Sequence, residues 1–267
     1  MYALSGTLRD IDIKICRISA DDLAKLEPAL APLVQTGQLK AAYELPDEAQ
    51  LRNPHHLQAL IVACRQRGVE VTGDVEANRF EVARDKLVRV HTNKGAIEAA
   101  KFCITSGPWT HALLRQLDLE TGIMPIRGQM VLFRCPHRPF QRVINEGLRY
   151  LVPRDDGRVL VGSTEEEVGF DKSTTVESID ELTNFACDLV YPLREAQIEA
   201  TWAGLRPGSF DGFPYIGLVP GLENGFVAAG HFRSGLYLST GTAVVAGQLI
   251  RGERPQIDLS PFHAGRG

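Results

Sequence analysis

Phe226-Val227-Ala228-Ala229-Gly230-His231-Phe232-Arg233-Ser234-Gly235 is the stretch that decides the fold. Its first four residues read as a short buried strand. A turn with a glycine at each end follows at once. The apolar run then resumes as a helix from about Ser239 to Arg251, stopped by Gly252. Strand, glycine turn and helix form the unit on which α/β proteins build phosphate and dinucleotide sites. Glycine lets backbone N–H groups and the helix dipole approach a negative group closely. The same residues would also serve as a plain left-handed connection.

The pattern occurs once more upstream. Phe102-Cys103-Ile104 is an apolar strand that ends in Ser106-Gly107-Pro108-Trp109-Thr110, a glycine turn opening a helix to about Leu117. By itself this too could be a tight turn. Between Phe80 and Thr105 apolar residues alternate in short runs, which predicts a small β-meander. Before it, Asn53-Pro54 opens a helix to Arg67, stopped at Gly68, with Leu57, Leu60, Ile61 and Cys64 on one face. Val69-Glu70-Val71 reads as a strand, and a helix running straight into a strand suggests α/β layering. Further out, Ser19 and Asp22 form a capping box for a short helix to Leu30, interrupted near Pro28. Met130 to Phe133 is a strand after Pro125-Ile126-Arg127-Gly128-Gln129. Asp155-Asp156-Gly157 joins 150–153 to 158–162 as a hairpin. A second capping box, Ser178 to Glu181, starts a helix that ends before Pro192, and Ile198 to Ala203 is a strand.

Composition narrows the class. The chain has 267 residues, 44% hydrophobic and 23% charged, with formal net charge −4. That excludes disorder, collagen and coiled coil, and gives no reason to expect nucleic acid or an anionic membrane as partner. No apolar run approaches a membrane span, and the first residues lack the pattern of a signal peptide. The five cysteines, Cys16, Cys64, Cys103, Cys135 and Cys187, contain no C-x-x-C and read as reduced thiols of a cytoplasmic protein. The seven histidines show no zinc spacing, so no metal is expected. There is no G-x-S-x-G nucleophile and no G-x-x-x-x-G-K-[ST] loop.

Two late segments carry the candidate chemistry. Trp202-Ala203-Gly204-Leu205-Arg206-Pro207 places an arginine at a strand end beside glycine and proline. Arg233 lies in the glycine turn already quoted. Arginine suits bidentate binding of a carboxylate, and a surface salt bridge is the plain alternative for each.

These residues, taken in order, resemble the FAD-dependent D-amino-acid oxidase family, and within it the glycine oxidases of thiamine biosynthesis. The resemblance runs from about Ile18 to Gly267. It rests on Ile18-Ser19-Ala20-Asp21-Asp22-Leu23, Asn53-Pro54, Thr105-Ser106-Gly107-Pro108-Trp109, Pro125-Ile126-Arg127-Gly128-Gln129, Tyr150-Leu151-Val152-Pro153-Arg154, Gly204-Leu205-Arg206-Pro207, Gly230 to Gly235 and Asp258-Leu259-Ser260-Pro261-Phe262. It implies FAD as cofactor, a small amino acid or amine and molecular oxygen as reactants, and oxidative deamination to an imine, then the 2-oxo acid, with hydrogen peroxide. A homo-oligomer is compatible with it. By resemblance Arg206 anchors the substrate carboxylate, Tyr150 lines the amino-acid pocket, and Arg233 is a second polar contact near substrate and flavin. Gly230, His231, Phe232, Arg233, Ser234, Gly235, Leu236 and Tyr237 match the loop around the flavin ring. Val75 resembles a strand-end backbone contact to the adenine, and Gly107 the turn beside the ADP part. No acid or base residue is implied.

The implied fold is mixed α/β: a Rossmann-type FAD-binding part, 52–122 and 198–267, interleaved with a substrate part, 1–51 and 123–197, on a mixed, largely antiparallel sheet. The chain departs from the pattern in two places. No G-x-G-x-x-G occurs, so the turn that binds the FAD diphosphate is expected to be missing, with apolar faces left open. The alternative reading is therefore a truncated, non-catalytic remnant that cannot hold FAD alone. Glycine-preferring relatives tend to have a histidine near Leu148; sarcosine, proline, another small amine or a D-amino acid thus stay within the reading.

Overall fold

A computed structural model describes residues 13–266. Residues 1–12, assigned above to the substrate part, and Gly267, assigned to the cofactor part, lie outside the described residues. In chain order the elements are β1 (Cys16–Ile18), α1 (Ala20–Leu26), α2 (Ala31–Gln35), β2 (Ala42–Glu44), α3 (Asn53–Gln66), β3 (Ala77–Ala83), β4 (Lys86–Thr92), β5 (Gly95–Glu98), β6 (Phe102–Ile104), α4 (Thr110–Leu114) and β7 (Met124–Arg134). They continue with β8 (Ile144–Glu146), β9 (Arg149–Pro153), β10 (Arg158–Gly162), α5 (Val176–Leu189), β11 (Gln197–Gly208), β12 (Tyr215–Leu218), β13 (Gly225–Ala229) and α6 (Gly235–Arg251). Contacts divide the chain into two units. One takes residues up to Val69, Gln129–Thr164 and Ser173–Ala203. The other takes Glu70–Gly128, Glu165–Lys172 and Gly204–Gly267. Strands β7 and β11 contribute residues to both.

The first unit is built on the sheet ordered β11-β7-β10-β9-β8. Antiparallel register sets Val131 opposite Val161, Phe133 opposite Val159, and Val161 opposite Leu151. All five are buried, because alternate residues of a strand share a face and this face is covered. The cover is α5, which lays Leu182, Phe185 and Ala186 on it. The predicted 150–153/158–162 hairpin is present. Helix α5 begins at Val176, not at the Ser178 box. Its cap is Thr175, whose hydroxyl accepts the Ser178 N–H. The buried Gln129 on β7 holds that cap: its carbonyl accepts the Thr175 N–H at 2.8 Å and its amide donates to the Thr175 hydroxyl at 3.2 Å. Ser19 caps α1 as read, accepting from the Asp22 N–H. Helix α3 has no buried residue. The segment Val69–Val71 forms no strand, and both valines are exposed.

The second unit has two three-stranded sheets, β3-β4-β5 and β12-β13-β6. Strands β3 to β5 are the predicted meander; β6 leaves it to pair in parallel with β13. Buried Asn224 joins the two sheets. It accepts the Leu87 N–H and donates to the carbonyls of Leu87 and Ala100. Leu87, Ile104, Leu114, Tyr215, Val219 and Val227 fill the core around it. Further boundaries differ from the sequence reading. β7 begins at Met124 rather than Met130, β11 ends at Gly208 rather than Ala203, and α6 begins at Gly235 rather than Ser239. Gly128 and Gly204 lie inside strands, and Gly235 opens α6, although glycine commonly marks breaks. The five cysteines form no disulfide. Among the described residues no helix is long and apolar enough to cross a membrane.

Candidate active site

The parallel pair β6 and β13 organises the candidate cofactor residues of the second unit. Val227 pairs with Ile104, so both strands deliver their glycine turns to the same end of the sheet. Gly107 has φ +56°, and Gly230 has φ +82°. Both are left-handed values that favour glycine. A Cβ on Gly230 would also press to 3.2 Å from the Tyr215 ring; one on Gly107 would meet nothing within 4 Å. The carboxyl ends of parallel strands are where open α/β sheets bind ligands.

Past Gly230 the chain makes a single tight turn, Phe232–Ser234, before α6 begins. Phe232 itself sits at φ +48°, rare for a side-chain-bearing residue. His231 is half-buried and shares a 3.0 Å hydrogen bond between Nε2 and the Thr242 hydroxyl. Burial pushes its imidazole below the ordinary value, which keeps it neutral near pH 7. The Ser234 N–H donates to the His231 carbonyl. Leu236 and Tyr237 open α6 and are exposed, Tyr237 by 82%. Val75 does not end a strand. It lies half-buried in the segment that leads into β3, after Asp74 at φ +56°.

The three polar candidates sit in different settings. Arg233 forms an ion pair with Glu165 at 2.6 Å, both side chains about one-third exposed or less. Arg206 is half-buried on β11, and its guanidinium fills the space in front of the Gly128 α-carbon. Both belong to the second unit. Tyr150 belongs to the first. Its hydroxyl is 3.7 Å from the Met130 sulfur, a weak acceptor, and a Cβ on Gly162 would reach to 2.9 Å of it. A phenol held by so weak a partner keeps most of its hydrogen-bonding capacity for another group.

Gly128, Met130, Gly162 and Glu165 were not singled out as site residues by sequence. Gly128 carried one usable signal, a glycine amid Pro125-Ile126-Arg127-Gly128-Gln129 where a strand follows. The contacts of the other three are set by pairing between distant segments. Next to Gly128, the buried Arg127 guanidinium is held by Glu166 and Asp171, each at 2.5 Å, so the middle of β7 is firmly fixed.

These residues fit one end of FAD. The left-handed Gly230 turn, the half-buried His231 and the start of α6 suit a flat, electron-accepting ring, and the Gly107 turn lies at the same sheet end. A diphosphate cradle of the G-x-G-x-x-G kind is absent from the sequence, so the residues present do not account for the diphosphate.

Known proteins are similar to this chain over most of its length. Glycine oxidase of Pseudomonas aeruginosa is 37% identical over 240 residues, covering 89% of this chain and 66% of that protein. Glycine oxidase of Pseudomonas putida is 35% identical over 246 residues, covering 92% and 67%. The crystal structure of glycine oxidase from Geobacillus kaustophilus superposes with a TM-score of 0.92 at 28% identity, over 100% of this chain and 70% of that one. The chain thus spans about two thirds of the length of the curated relatives it matches. With residues 4–249 matching the family described as DAO, FAD dependent oxidoreductase, and with the glycine turns of β6 and β13 in place, the chain belongs to that family of FAD-dependent oxidoreductases.

Proposed function

We propose that this chain supplies the flavin-facing and substrate-binding part of an oxidase that deaminates glycine or a similar small amine, with oxygen as acceptor. The observation that carries the reading is the parallel β6–β13 pair, which sets the Gly107 and Gly230 turns at one sheet end. The residues from Gly230 to Tyr237 would hold the ring end of FAD, and the Gly107 turn would lie beside its ADP part. Val75 is proposed as a backbone contact at the adenine end. When bound, FAD would take the hydride from the substrate α-carbon. The division at 52–122 and 198–267 against 1–51 and 123–197 is kept as a functional proposal, cofactor part against substrate part.

The chain's own contribution is binding and orientation. Arg206 can grip a carboxylate through two parallel N–H donors, fixing the direction of the bond to the α-carbon. Tyr150 is proposed as an amino-acid pocket residue, through its hydroxyl. The start of α6 carries the positive end of a helix 17 residues long, suited to negative charge placed near it. Arg233 would add positive charge there, moderated by Glu165. The imidazole of His231, neutral near pH 7, adds no charge. No acid or base side chain is needed when the amine arrives neutral. A cytoplasmic place for the protein goes with this reading, as does a role in thiamine biosynthesis.

The test is peroxide formation by purified protein given FAD and, in turn, glycine, sarcosine, proline or D-alanine. Amine-dependent peroxide, and yellow colour that survives desalting, are the expected results. Arg206→Ala should lower kcat/KM by about 100-fold or more, the loss of a charge-assisted bidentate pair. Absence of both the colour and the peroxide would overturn the reading for this chain.

A further inference from the structure

We propose that Gly128 is the positioning residue for Arg206: its bare α-carbon leaves the space that the guanidinium occupies. The inference rests on the reading of Arg206 as the carboxylate anchor. Glycine inside a strand is a cost, because it packs nothing and loses the most freedom on folding. The backbone gives no compensating reason here, since Gly128 is not among the positive-φ residues and lies within β7. What it has is a neighbour. A Cβ at this position would overlap Nη1, Nη2 and Cζ of Arg206. Gly128 is itself buried, and Arg127 beside it is held by two carboxylates, so the strand cannot swing aside.

A guanidinium is the mobile end of a long side chain. A methyl group at 128 would therefore move Arg206 before it broke β7. Bidentate recognition depends on the plane and place of the fork, and a shift of about 1 Å is enough to spoil a site of this kind. The other crowded glycine on these strands behaves differently. A Cβ on Gly208 would meet the side chain of Ile126 at 2.9 Å, an apolar packing contact with no charged group involved.

The test uses wild type, Gly128→Ala, Arg206→Ala and the double variant, each melted with and without sodium acetate, a carboxylate that has no amine. Gly128→Ala should lower the midpoint by about 2 °C or more in the wild-type background. In the Arg206→Ala background it should leave the midpoint level or raise it, because alanine restricts the unfolded chain more than glycine does. Equal shifts in both backgrounds overturn the proposal. Acetate should raise the wild-type midpoint, as any ligand of the folded state does. Its half-saturating concentration should rise at least about tenfold in Gly128→Ala, and the response should vanish in Arg206→Ala. A Gly128→Ala response equal to wild type overturns the proposal while Arg206 keeps its role. A wild-type response that is absent, or that survives Arg206→Ala, overturns the carboxylate reading itself. If Gly128→Ala alone does not fold, the double variant decides: folding with the Arg206→Ala midpoint supports the proposal, and failure to fold overturns it.

Discussion

Helices α3 and α5 have the same length, 14 residues, belong to the same unit, and both carry apolar residues at helical spacing. In α5, Leu182 is 1% exposed and Phe185 6%, because the five-stranded sheet offers a matching apolar face. In α3, Leu57 is 58% exposed and Leu60 47%. That helix is tied down near its start, where Gln50 donates to the Pro153 carbonyl and Arg52 to Asp156 on the β9–β10 turn. The lesson is that periodicity says which residues share a face, not whether anything covers it. Helix α6 repeats the lesson in the second unit. It has no charged residue before Arg251, yet Leu236, Leu238 and Val244 are exposed and only Val245 is buried. The open face of α6 begins where the candidate flavin turn ends.

The comparison breaks most severely at Phe185. Phe185→Ala should cost about 3–5 kcal/mol, the lost transfer of the ring plus the cavity it leaves. It also removes the ring beneath the Arg149 guanidinium, which stacks 4.0 Å from its centroid. Urea unfolding followed by far-UV circular dichroism gives the number. A loss below about 1 kcal/mol would mean that α5 is not seated as described. Next in size is the cap. Thr175→Ala should cost about 1 kcal/mol, within the range for N-cap serines and threonines. Ser178→Ala, at the box first assigned as the cap, should cost clearly less by the same measurement.

That pair of substitutions shows what the sequence could and could not carry. Ser178-x-x-Glu181 satisfies the local capping rule, and local rules are all a single sequence displays. Thr175 is the cap because Gln129 reaches it from β7, a contact between distant segments. The same distinction runs through the molecule. Gly107, Gly230 and Gly252 were legible because a left-handed turn demands glycine at the residue itself. So was the β9–β10 hairpin, from Asp156-Gly157 between alternating strands. The seating of Arg206 against Gly128 and the pairing of Arg233 with Glu165 were not legible, since nothing local distinguishes an arginine that has found a partner. Val69–Val71 failed as a strand for the reason α3 is open: an apolar run needs a neighbour to pair with.

The smallest expected effect is the most informative about the open side. Leu60→Gln keeps a good helix former at a position with nothing packed on it, so propensity changes little. Burial changes little either, because a side chain already half in water has little transfer free energy left to lose. The expected change in stability is therefore within about 0.5 kcal/mol, the range of surface substitutions. Leu182→Gln, at the matching buried position of α5, should unfold the unit or cost several times more, since it strands an amide in an apolar core. Measured together in urea, the two variants put a number on the difference between a helix with an inside and one without. If Leu60→Gln cost as much as the core variant, the face of α3 would be covered in solution, and the comparison would have to be redrawn with that cover in place. If it cost nothing, the patch of Leu57, Leu60, Ile61 and Val62 would stand as apolar surface kept against the tendency of water to remove it.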